Sequence, residues 1–185
     1  MTDLVEALSR AILETGEELM REHGACLRPQ VHILAEDMDQ PYVGFITCRP
    51  FYRGADAATA LTGLGLFPSV LMATRLLVAW DDRDLRTGLE MPGEPYDRGL
   101  VILDATFEDH TLHWHPYDYE VLGDTDYGTT RIKPLWNPPA HYRDVPLLPP
   151  ISDLLALWKE FRRDDIQETA IELQRAGYEF DMVSR

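Results

Sequence analysis

Two histidines, His113 and His115, flank Trp114 and precede Pro116, and Asp126 follows downstream. Side chains at i and i+2 of a strand share a face. Two neutral imidazoles and a carboxylate are ligands that hold zinc while leaving a fourth position for water. His113, His115 and Asp126 are therefore candidate metal ligands, with zinc or manganese the implied ion. Without a metal, the two histidines are partly exposed edge-strand residues in one row with Tyr117 and Tyr119.

Over residues 113–126, the pattern His-x-His-Pro followed by Asp resembles the zinc signature of JAMM metalloproteases. The resemblance implies metal-dependent hydrolysis. It is confined to that stretch, because Gly123 stands where the family has Ser and only Glu36 is a loose candidate for the general base. The family also approaches its histidine pair from a helix, whereas the turn Glu108–Thr111 precedes it here.

A second cluster is Arg49, Tyr52, Arg53 and Asp56, running from a strand end to a helix start. Guanidiniums beside a helix N-terminus suit a phosphate or carboxylate, which makes Arg49 and Arg53 candidate anion-binding residues. The competing expectation is that they pair with carboxylates such as Asp81, Asp82 or Asp84. The acidic groups Asp81-Asp82-Asp84 and Asp118-Glu120-Asp124-Asp126 suit Mg²⁺ or Mn²⁺. The second group, interleaved with Tyr117, Tyr119 and Tyr127, also suits imitation of nucleic-acid phosphate. Read plainly, both are solvated faces. No G-x-x-x-x-G-K-[ST], G-x-G-x-x-G or G-x-S-x-G pattern occurs.

Composition narrows the choice of partner. A formal charge of −15 over 185 residues repels nucleic acid and anionic membranes where no basic patch is segregated. The densest basic spot, Arg162-Arg163, is followed directly by Asp164-Asp165. No apolar run approaches the roughly 20 residues of a membrane span, and the N-terminus lacks a basic-then-apolar leader pattern, so a cytoplasmic location is expected. Cys26 and Cys48 stand alone, without paired metal or redox spacing; both read as reduced structural thiols. Arginine far outnumbers lysine, which occurs only as Lys133 and Lys159, as in a GC-rich bacterial genome.

The stretch that organises the chain is Gly99 to Val121. Leu100 to Phe107 is apolar on both alternating faces, as in a strand covered on both sides, and Leu112 to Val121 alternates more visibly, as a partner strand. Pro116 places that partner at a sheet edge or a bulge. Upstream, the spacing predicts a helix over 3–23 ending at Gly24, strands over 31–36 and 42–48, a helix from 57 to 66, and a strand over 75–80. Residues 86–98 carry loop chemistry. Residues 123–150 contain six prolines and read as an extended strap pinned by Leu135, Trp136, Tyr142 and Leu147. Helices follow within 152–177.

The expectation is a single α+β domain over 1–185, with an antiparallel or mixed sheet of about five strands packed by N-terminal, middle and C-terminal helices. The leading functional reading is a non-enzymatic binding or regulatory module that recognises a protein partner, without direct contact to nucleic acid or membrane. A homodimer paired through an aromatic edge strand is one form of this. The alternatives are a metal-dependent hydrolase using the His-x-His-Pro site and an acidic nucleic-acid mimic.

Overall fold

The computed structural model describes residues 2–183 as an α+β fold around one antiparallel sheet. The helices are α1 (Thr2–Glu18), α2 (Ala55–Gly63), α3 (Leu66–Val70), α4 (Asp82–Gly88), α5 (Pro149–Trp158) and α6 (Ile166–Arg175). The strands are β1 (Gln30–Leu34), β2 (Tyr42–Thr47), β3 (Arg75–Asp81), β4 (Gly99–Ala105), β5 (His110–Asp124), β6 (Thr130–Trp136), β7 (Ala140–Arg143) and β8 (Glu179–Met182). Their order is β6-β5-β4-β3-β1-β2-β8, with β7 also paired to β5. The sheet has eight strands rather than about five.

Period-two alternation divides the central strands between two cores. Val31, Ile33, Leu76, Val78, Trp80, Val101 and Leu103 face one side, where Ala60 and Leu61 of α2 and Ile151, Leu154 and Trp158 of α5 cover them. Leu34, Leu77, Ala79, Leu100 and Ile102 face the other, under Val5 and Ile12 of α1. The continuous apolar runs of β3 and β4 therefore reflect cover on both sides. Gly16 is what allows α1 this close: a Cβ there would sit 2.5 Å from Leu100 Cδ1. A π-helical turn, Leu19–His23, continues α1 until Gly24 ends it with a left-handed φ of 59°.

Two expectations are corrected and one unanticipated strand is added. Residues 123–150, expected as an extended strap, are instead built into the sheet as β6 and β7. These two lie end to end along the same side of β5: Tyr117 pairs with Trp136, Trp114 pairs with Ala140, and Asn137 N–H donates to Pro116 O between them. Pro134 is tolerated because β6 is an edge strand, where a missing donor need not break an inner ladder. Residues 82–88 form α4, which overlaps the stretch from 86 expected as loop, since Asp81 accepts from Asp84 N–H and caps it. Finally, β8 closes the far edge by pairing with β2.

Candidate functional site

The residues singled out by sequence fall into three places. His113 and His115 share the α1-facing side of β5 with Tyr117, as alternation requires. Asp126 lies past the far end of the same strand, in the β5–β6 turn. From His115 to Asp124 the strand advances nine residues, about 30 Å at the usual rise. The structure thus places Asp126 apart from both histidines, and no group of three metal-ligating side chains converges among the described residues.

What His113 meets is His141, brought opposite it by the β5–β7 register. Their Nδ1 atoms are 2.8 Å apart, so one imidazole donates and the other accepts. Two nitrogens bound to one tetrahedral zinc would stand about 3.3 Å apart, given bonds of about 2.0–2.1 Å. The pair is thus closed on itself as a hydrogen bond. Desolvation first, and then the neighbouring His141, lower the His113 pKa; Asp104 acts against them. Burial and the other two histidines likewise lower His115. His141 was missed in the sequence because it lies in the proline-rich stretch, where only the strand register reveals its partner.

Arg49 is occupied by a carboxylate. Its Nη2 lies 2.6 Å from Asp56 Oδ1 and its Nη1 3.2 Å from Asp56 Oδ2, and Asp56 also accepts from Tyr52 N–H at 2.7 Å. The i to i+7 spacing across the loop makes this a local clamp on the start of α2. Arg53 lies at the same loop, where its charge acts on Asp84. The first acidic group is likewise structural: Asp81 caps α4, and Asp82 pairs with Arg86 Nε at 2.7 Å.

The second acidic group occupies a surface of a different kind. The β4–β5 ladder stops at Gly99 and Pro116, whereas β5 runs on to Asp124 against β6 alone. Residues 118–124 therefore form one strand of a two-stranded ribbon whose second edge has no partner strand among the described residues. A register shift between Val121 and Gly123 marks a bulge near its end. Tyr119, Val121 and Ile132 lie on the face toward the Leu19–His23 turn. Asp118, Glu120 and Leu122 share the opposite face with Lys133 and Leu135, their cross-strand partners or neighbours. Leu122 is 45 % exposed and Leu135 39 %. Lys133, 3.8 Å from Glu120, and Arg131, opposite Gly123, are the cations of β6, against Asp118, Glu120 and Asp124 on β5.

The ribbon is anchored rather than loose. Trp136 Nε1 donates to Glu17 at 3.0 Å and Thr129 Oγ1 donates to His23 O at 2.9 Å. At its root, Tyr117 O–H donates to the buried Asp81 carboxylate at 3.0 Å. No known protein family, curated protein or solved structure matches the chain.

Proposed function

We propose that this protein is a non-catalytic binding module that captures a basic, extended segment of a partner protein along the β5–β6 ribbon. One observation carries the reading: residues 118–124 offer an unpaired strand edge, held out by anchored neighbours and flanked by Asp118, Glu120 and Asp124. Unpaired backbone groups template strand addition, and alternating side chains supply its specificity. The net charge of −15 adds long-range attraction for a basic segment and repulsion of nucleic acid. The exposed Leu122 and Leu135 give the incoming strand apolar contact on the same face.

The test uses a capped peptide of alternating lysine and valine, titrated by fluorescence anisotropy at low and physiological salt. Reversing Asp118 and Glu120 to Arg should weaken binding by at least about tenfold. Reversing Glu6 and Glu14 on α1 should weaken it far less, although the net charge changes equally. Equal loss in both variants would reduce the attraction to bulk charge and overturn the reading. Sedimentation of the free protein separates the homodimer form, and competition by duplex DNA for a captured partner separates the nucleic-acid mimic.

A further inference from the structure

A cavity of about 300 Å³ lies beneath the ribbon, between it and the segment Met20–Cys26. Its walls include Met20, Ala25, Val121 and Ile132, while Arg98, Tyr117 and Cys26 supply polar groups. Arg98 stands out by its place in this wall and its stacking, because other arginines such as Arg10, Arg83 and Arg143 also make no side-chain ion pair or hydrogen bond among the described residues. Among the described residues its guanidinium makes neither an ion pair nor a hydrogen bond, although carboxylates outnumber cations almost twofold, 32 against 17. It lies instead over the Tyr119 ring, 4.2 Å from the centroid.

Stacking fixes the guanidinium plane and leaves its planar fork of N–H donors free. We propose that this cavity binds a small monocarboxylate with an apolar body, gripped by Arg98. A planar carboxylate matches the fork in two parallel hydrogen bonds. The apolar walls fit a short aliphatic or aromatic body, and the volume stands at the small end of ligand pockets, which begin near about 300 Å³. Asp81 and Asp84 face the same region, close enough to act on the Cys26 thiol. Arg98 and Arg83 act on the same thiol with the opposite sign, so the preference for a monocarboxylate over phosphate rests on the planar fork and the apolar walls. Asp81 itself is already satisfied by Tyr117 O–H and Asp84 N–H.

The site binds rather than reacts. Burial first, and then the Asp81 carboxylate, raises the Tyr117 pKa, so its hydroxyl stays a hydrogen-bond donor to Asp81 rather than a nucleophile. This inference does not depend on a strand docking along the ribbon, although Tyr119 and Val121 belong to both surfaces.

Calorimetric titration of the full chain with benzoate, hexanoate and inorganic phosphate tests it. At least one carboxylate should saturate one site, with phosphate failing to compete. Arg98→Gln should raise its Kd by at least about tenfold with an unchanged melting curve. Ala25→Trp, which keeps Arg98 and fills the cavity, should do the same. No saturable binding of either carboxylate, phosphate binding as tightly as carboxylate, or retention of binding in either variant would each overturn the proposal.

Discussion

The Tyr117 hydroxyl donates to the Asp81 carboxylate across the sheet, 3.0 Å apart, joining the end of β3 to the middle of β5. Both residues are buried. Tyr117→Phe leaves Asp81 with Asp84 N–H as its remaining donor, and at neutral pH this should cost about 1–3 kcal/mol. Desolvation raises the Asp81 pKa above its ordinary value while Tyr117 lowers it. The raised folded pKa means that the native state takes up the proton first as pH falls, so protonation favours folding there. The cost of Tyr117→Phe should accordingly shrink as pH drops through that window. Denaturant melts of both proteins across pH check this; a pH-independent difference would show that the bond does not act through the carboxylate's charge.

His32 sets a second pH dependence. Its Nδ1 lies 2.9 Å from Tyr42 Oη and its Nε2 3.1 Å from Gln30 Nε2. The Gln30 amide nitrogen only donates, so Nε2 accepts and Nδ1–H donates to Tyr42. Burial lowers the His32 pKa to about 4. A lowered folded pKa means that the unfolded chain binds the proton first, so this stability is present above about pH 6.5 and is lost down to about pH 4. The loss should approach 3 kcal/mol, roughly. His32→Gln should flatten that part of the stability curve, measured as the native-minus-variant difference between neutral and acid pH.

Asp104 holds Arg75 in two hydrogen bonds, 2.7 Å to Nε and 2.6 Å to Nη2, with Glu36 adding a third contact. Because the pair is mostly buried, removing one partner strands the other charge. Asp104→Ala should destabilise the fold by about 2–3 kcal/mol. Asp104→Ala with Arg75→Met should recover part of it, as measured by a double-variant cycle.

Gly65 packs against the backbone of α5. A Cβ there would lie 2.3 Å from Leu154 O, and neither backbone can step aside without moving a helix. Gly65→Ala should therefore destabilise by about 1–3 kcal/mol despite an ordinary helical φ of −74°. Chemical denaturation measures this directly, and an unchanged midpoint would show that the α2–α3 junction yields.

Zinc titration separates the histidine pair from the carboxylate beyond it. Asp126→Ala should leave zinc affinity unchanged, since the strand carries Asp126 away from His113 and His115. A fall of tenfold or so would show that the turn folds back onto them.

Much of the scaffold was legible wherever burial imposes a period. The alternation of β3 and β4 follows from side chains sorting between two covered faces, and the Gly24 stop from the left-handed conformation that glycine suits. Sequence reasoning failed where partners came from afar. Pro134 disguised β6, yet an edge strand accepts it. Asp81 reads as part of a metal-binding or solvated acidic group because a helix cap uses the same residue type. His141 and β8 carry no local signal of the strands they meet. The candidate metal triad failed to assemble for a reason of length: His113, His115 and Asp126 are close in sequence only if the chain turns back between them, and β5 stays extended to Asp124.

The pairing of β8 with β2 also orders events in time. Gly44 to Thr47 must wait for Glu179 to Met182 before their outer edge is closed. A ribosome exposes the first of these long before the second, and a nascent chain consequently carries an open, partly apolar strand through most of its synthesis. Closing so long a loop is slow relative to the local hairpins, which makes docking of β8 a late step in maturation and the interval before it the period when this protein is most exposed to chaperones and to mispairing.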